Sequence, residues 1–134
     1  MSTATPAYGL KKTLNLPFEE ADQKVRAALK EEGFGILTEI DVKATLKEKL
    51  DVEHRPYRIL GACNPPLAHR ALTAEVDVGL LLPCNVVVYQ GDDDGTSVVA
   101  IMDPRIQLEP AGNPTLDELG REVRDQLERV LAGL

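Results

Sequence analysis

Aromatic side chains are scarce in this 134-residue chain, which has no tryptophan, two phenylalanines and three tyrosines. Proteins bind single-stranded nucleic acids by stacking bases on aromatic rings, and they bind phosphate backbones through clustered lysine and arginine. Here 22 acidic residues outnumber 15 basic ones, and the formal net charge is −7. The nearest approach to a basic cluster is Lys43, Lys47 and Lys49, which Glu48 interrupts. We therefore expect no nucleic-acid partner.

Long hydrophobic runs and cysteine-rich motifs are also missing. The most apolar stretch, residues 76–89, contains Asp77, Pro83 and Asn85 and is too polar to cross a bilayer. The first residues have neither the basic start nor the apolar centre of a secretory signal. Two cysteines in such a chain indicate reduced thiols rather than a disulfide scaffold. These features predict a cytoplasmic protein with no membrane partner.

The composition is that of one globular domain, because 43% of the residues are hydrophobic and 28% are charged. Residues 1–7 are expected to form a flexible tail and residues 8–134 a single domain. Helical spacing and capping signals predict four helices, which begin at Pro17, Asp41, Asn64 and Thr115. Alternating or continuous apolar runs predict five strands, at residues 8–16, 34–40, 57–62, 85–90 and 96–102.

The resulting element order is βαβαβαββα, which predicts an α+β fold. We expect a single two-layer domain with a mixed five-stranded sheet and helices packed on it. The hairpin strands at 85–90 and 96–102 are apolar on both faces, which is typical of strands covered twice. Helices can cover one face, and a second subunit can cover the other. The hairpin therefore predicts a homodimer.

Both cysteines lie at junctions between apolar runs and turns. Cys63 precedes Asn64 and Pro65, which are typical of a helix start, where the helix dipole favours a thiolate. Cys84 follows Pro83 and opens a strand. If the two strands are neighbours, the two sulfurs could serve a redox pair, a sulfur carrier or a soft-metal site. Alternatively, both thiols pack as small hydrophobic groups in the core.

His69 is the third candidate ligand, because it lies one turn into the helix that follows Cys63. Cys63, Cys84 and His69 together would form a soft three-ligand site suited to zinc or copper. The apolar stripe of that helix, formed by Leu67 and Ala71, instead favours a solvent-facing His69.

Three motifs carry a resemblance to a known family. They are Gly61-Ala62-Cys63-Asn64-Pro65, Leu81-Leu82-Pro83-Cys84-Asn85 and Met102-Asp103-Pro104. Together with residues 33–41, they resemble the domain of unknown function 302, and the likeness extends over residues 8–134. The resemblance implies a compact α+β domain that forms homodimers and comes from a prokaryote, here expected to be bacterial. It implies no reaction. The only residues to which it points are Cys63 and Cys84, which match the cysteines of the family motifs.

The leading hypothesis is a small-molecule or soft-metal binding module with the Cys63 thiol at its site. The first alternative is a thiol-dependent enzyme or a sulfur or redox carrier that uses Cys63. An enzyme would need a base, and only His69 is near in sequence. The second alternative is an interaction domain in which both cysteines are structural.

Overall fold

A five-stranded sheet forms the centre of the computed structural model, which describes residues 4–134; the predicted tail, residues 1–7, lies partly outside the described residues. The strands are β1 (Gly9–Leu14), β2 (Gly35–Asp41), β3 (Tyr57–Cys63), β4 (Cys84–Gln90) and β5 (Ser97–Met102). Their spatial order is β1-β5-β4-β3-β2. The predicted α+β fold with five strands is confirmed.

The sheet is antiparallel at every pairing, and the expectation of a mixed sheet is wrong in this detail. The connection between β3 and β4 gives the physical reason. Residues 64–83 leave the sheet after Cys63 and return at Cys84, and Cys84 pairs with Ala62. Because the chain leaves and re-enters at the same end of the sheet, the two strands run in opposite directions.

Five α-helices connect or flank these strands. They are α1 (Phe18–Glu31), α2 (Val42–Leu50), α3 (Pro65–Ala74), α4 (Pro104–Leu108) and α5 (Pro114–Ala132). None of the helices within residues 4–134 is long and apolar enough to cross a membrane. The sequence patterns anticipated all of them except the short α4.

Local signals explain most of the helix ends. Asp41 caps α2 as predicted, because its carboxylate accepts a hydrogen bond from the Ala44 amide at 2.9 Å. Gly33 follows α1 with a φ of +86°, a left-handed conformation that glycine adopts without strain. The predicted capping box at Thr115 is wrong. Asn113 caps α5 instead, and its side chain accepts a hydrogen bond from the Thr115 amide at 3.0 Å.

Helices α1 and α5 cover one face of the sheet. The strands contribute alternate residues to this core, as the twofold repeat of a strand requires. Fully buried strand residues include Leu60, Val86, Val88, Val99 and Ile101, and they pack with Val25, Leu29, Leu127 and Val130 of the two helices. A second apolar cluster joins α3, α4 and α5 through Leu67, Ala71, Leu108, Leu116 and Leu119.

Within residues 4–134, no comparable apolar cluster covers the opposite face of the sheet. We call it the open face, and it includes Tyr8, Lys11, Tyr57, Asn85, Val87, Tyr89, Ala100 and Met102. Tyr57 and Tyr89 stack in parallel here with ring centroids 5.2 Å apart, and Tyr8 is 60% exposed. Among the described residues of a single chain, helices therefore cover the hairpin strands β4 and β5 on one face and leave the other face without a helix.

Candidate functional site

A cavity of about 390 Å³ opens where β3 runs into α3. Its walls come from β2, β3, α3, α4 and α5 and from the segment that leads into β4. The lining residues that matter below are Leu37, Thr38, Cys63, Ala68, Leu72, Pro83, Cys84, Gln107, Leu108 and Leu119. The cavity thus lies where the chain passes from β3 to α3, from α3 to β4 and from β5 to α4. These connections meet because β4 runs antiparallel to β3 and starts beside its end.

The cavity is apolar inside and opens to solvent at a lip of leucines. Leu108 and Leu119 are buried at its inner end, whereas Leu37 and Leu72 are 68% and 42% exposed. Within residues 4–134, no side chain that lines the cavity is acidic, basic or a histidine. Such walls suit an uncharged ligand, because a charged one would lose its hydration without gaining a partner.

Cys63 is the last residue of β3 and is half-buried at this cavity. Asn64 occupies the N-cap position of α3 as predicted, but its side chain makes no capping hydrogen bond. The amide of Asn64 instead donates to the Glu32 carbonyl at 3.5 Å and to Gln126 Oε1 at 3.4 Å. These contacts fix the junction between β3 and α3 against α1 and α5.

Cys84 lies in a different environment. It is 8% exposed, and its Sγ donates to the Met102 carbonyl at 3.7 Å. Burial, with a smaller contribution from the negative charge of Asp103, raises the pKa of Cys84 to about 12. The thiol therefore stays protonated at neutral pH, whereas nucleophilic attack and metal ligation use the thiolate.

Asp103 is the buried carboxylate next to Cys84. It is 3% exposed and accepts a hydrogen bond from the Arg105 amide at 2.9 Å, which caps α4. An ion pair of 3.3 Å joins Asp103 to Arg124 of α5. Because a buried charge needs such partners, this cluster anchors the end of β5 to α5.

The two cysteines lie close at one end of the sheet and both line the cavity, although their side chains start from opposite faces of the sheet. Cys84 pairs with Ala62, so Cys63 is its diagonal neighbour on the adjacent strand. Side chains alternate between the faces of a sheet, and Cys63 therefore lies on the face opposite to Ala62 and Cys84. Both thiols are free.

His69 is exposed on α3 and does not line the cavity. In the part of the chain that the structure describes, no three histidine, cysteine, aspartate or glutamate residues form a group that could hold a metal ion. The fold therefore does not assemble Cys63, Cys84 and His69 into one ligand set.

The family model for the domain of unknown function 302, DUF302, matches residues 10–134. The chain belongs to this family. The resemblance found in the three motifs is thus confirmed. A crystal structure of an uncharacterized conserved DUF302 protein from Bacillus stearothermophilus has a TM-score of 0.87 to this chain at 30% sequence identity. The match covers 96% of this chain and 98% of that one. None of the curated proteins matches the chain.

Two polar residues of this DUF302 cavity were missed by the sequence patterns. Gln107 of α4 donates through Nε2 to the carbonyls of Leu81 and Pro83, the latter at 3.1 Å, and so holds the segment before β4. Thr38 of β2 lies opposite Gly61 of β3. The family resemblance covers Thr38 within residues 33–41 but assigns it no role, and no motif marks Gln107. Strand register and helix packing bring the two residues to the Cys63 cavity.

Proposed function

We propose that this DUF302 domain binds an uncharged, largely apolar small molecule in the cavity beside Cys63. The observation that carries the proposal is a cavity of about 390 Å³ whose walls lack charged side chains. Small-molecule sites in proteins are commonly apolar clefts of roughly 300–1,000 Å³ with a few polar groups. The Cys63 thiol is one of those polar groups and lies at the rim.

The soft-metal version of this hypothesis has less support. A soft metal needs several thiolate or imidazole ligands around one point. With a pKa of about 12, the Cys84 thiol stays protonated at neutral pH, and His69 lies outside the cavity. A thiol-dependent enzyme has the same difficulty, because the only histidine near Cys63 in sequence is not positioned as its base. The geometry favours binding over both alternatives.

A neutral fluorescent probe tests the proposal directly. N-phenyl-1-naphthylamine brightens in apolar surroundings, and we expect it to bind the wild-type protein with saturable enhancement. Ala68 lines the cavity on α3, so Ala68→Trp should fill the space and weaken probe binding at least tenfold. Ala27→Trp on exposed α1 is the matched control and should leave binding unchanged. Equal binding by wild type and Ala68→Trp would reject the cavity as the site.

The open face supports a second proposal, that the protein forms a homodimer through this surface. All three tyrosines of the chain lie on the open face, and tyrosine is enriched at protein interfaces. None of the open-face residues named above is acidic, although the chain has 22 acidic residues. Two copies can therefore meet there without bringing carboxylates together.

We also propose that the protein works in a reducing compartment such as the cytoplasm. Cys63 and Cys84 are both free and point to opposite faces of the sheet. Proteins of oxidising compartments usually pair their cysteines.

A further inference from the structure

We infer that the ligand of the Cys63 cavity is a neutral amphiphile, and that its polar end is a hydrogen-bond acceptor held by Thr38 and Cys63. This inference rests on the proposed function and specifies the ligand class. A long-chain ketone, aldehyde or ester has the required chemistry: an uncharged carbonyl at one end and an apolar chain at the other.

The polar side chains that line the cavity differ in whether they already have a hydrogen-bond partner within the protein. The side-chain amides of Asn64 and Gln107 already donate to protein acceptors, and the Cys84 thiol donates to the Met102 carbonyl. Within residues 4–134, the Thr38 hydroxyl and the Cys63 thiol have no side-chain hydrogen bond to the protein. Both groups are donors, the thiol a weak one, and both remain available to a ligand acceptor.

The register of β2 and β3 brings these two donors together. Thr38 pairs with Gly61, and Cys63 follows Gly61 by two residues, so all three lie on the same face. In a regular antiparallel pair such diagonal neighbours are roughly 7–8 Å apart, and here β2 carries a register shift between Ile36 and Thr38. A Cβ built on Gly61 would overlap Thr38 Oγ1, which shows that the Thr38 side chain leans over the glycine. The space over Gly61 is thus filled by Thr38 and Pro83, and a ligand carbonyl meets both donors by lying between the Thr38 hydroxyl and the Cys63 thiol.

The direction of the ligand follows from the burial of the walls. Thr38 and Leu37 are exposed at the mouth, whereas Leu108 and Leu119 are buried at the inner end. An amphiphile therefore enters tail first and leaves its polar end at Thr38. A carboxylate end would find no cationic partner, because no lysine, arginine or histidine among the described residues lines the cavity.

Displacement of N-phenyl-1-naphthylamine by three nine-carbon compounds tests the inference. The compounds are 2-nonanone, nonane and nonanoate, and the variant is Thr38→Val, which removes the hydroxyl and keeps the shape. Losing one neutral hydrogen bond costs about 0.5–1.5 kcal/mol, so displacement by 2-nonanone should weaken roughly two- to twelvefold. Displacement by nonane should not change. Wild type should bind nonanoate more weakly than 2-nonanone.

Thr45→Val, on the exposed surface of α2, is the matched control and should leave all three displacement curves unchanged. Equal effects of Thr38→Val on ketone and alkane, or nonanoate binding as tightly as 2-nonanone, would overturn the inference. If the probe binds and Ala68→Trp blocks it, the proposed function survives that outcome. If the probe does not bind wild type at all, both proposals fail.

Discussion

At the scale of single residues, the two thiols differ in access and in acidity. Cys63 is half-buried at the cavity, whereas Cys84 is buried between strands, next to Asp103. Although both cysteines lie in strands of the same sheet, the Cys63 thiol is partly accessible to solvent and the Cys84 thiol is buried. Measurements of thiol alkylation and of protein stability can distinguish these two environments.

Alkylation should distinguish the two thiols. Iodoacetamide reacts with the thiolate, and the pKa of about 12 leaves almost none at Cys84 at neutral pH. We expect Cys63 to be alkylated at least tenfold faster than Cys84 in the folded protein, measured by mass spectrometry of peptides. Cys63→Ser, as control, should abolish the fast phase. Equal and slow labelling of both thiols before denaturation would place Cys63 in the core as well.

The pH dependence of stability should report on Cys84. Its pKa rises from the ordinary 9.0 to about 12 on folding. Below pH 9 the thiol is protonated in both states, and its contribution is constant. Above pH 9 only the unfolded chain loses the proton, so stability falls as pH rises towards 12.

Between pH 9 and pH 10.5 we therefore expect wild type to lose about 1–2 kcal/mol of unfolding free energy relative to Cys84→Ala. Urea denaturation at both pH values gives this difference, and Cys63 is present in both proteins and cancels. A constant difference between the two proteins across this range would show that the buried thiol titrates normally.

At the scale of elements, the β2–β3 pair depends on the absence of a side chain at Gly61. A Cβ there would overlap Thr38 Oγ1 and lie 3.0 Å from Pro83 Cγ. Gly61→Ala should therefore destabilise the protein by about 1–3 kcal/mol in urea denaturation. Gly79→Ala is the control, because a Cβ at Gly79 meets nothing within 4 Å.

Adding Thr38→Ala to Gly61→Ala should recover part of the lost stability, since it removes one of the two overlapping groups. Recovery should be incomplete because Pro83 remains. No recovery in the double variant would mean that the overlap with Thr38 is relieved by movement of the strands.

The same elements indicate which local structure could be predicted from the sequence. Helix α2 has the predicted bounds because its cap and apolar spacing lie within ten residues of one another. Asn64 was expected to cap α3, but partners on Glu32 and Gln126 compete for its side chain. The sequence patterns do not predict α4, although Asp103 and Pro104 form its cap and first position, because a five-residue helix is too short to show an apolar repeat.

At the scale of the whole molecule, the strand order and the cavity could not be derived from local patterns. Apolar alternation identified five strands, but the pairing of β1 with β5 depends on contacts about ninety residues apart. The cavity likewise exists only once α3, α4 and α5 pack together. Sequence motifs therefore pointed to Cys63, whereas Thr38 emerged from the register of two strands.

The homodimer proposal gives a prediction at this scale. Val87 lies at the centre of the open face, and Val87→Glu would bring two carboxylates together in a symmetric interface. In sedimentation equilibrium at micromolar concentration, wild type should have twice the chain mass of 14.6 kDa, and the variant should have the chain mass. Gln23→Glu on exposed α1 should remain dimeric. A wild-type monomer would rule out the open face as an interface.

The position of β5 between β1 and β4 also sets an order on events during synthesis by the ribosome. β1 is made early, but among the strands of residues 4–134 it pairs only with β5, which ends at Met102. Until residues 97–102 emerge, β1 has no strand to pair with, and α5 emerges later still. The nascent chain thus carries unpaired strand edges and uncovered valines through most of its translation. Such exposure is a known cause of aggregation, so holding by chaperones should matter more for this domain than its small size suggests.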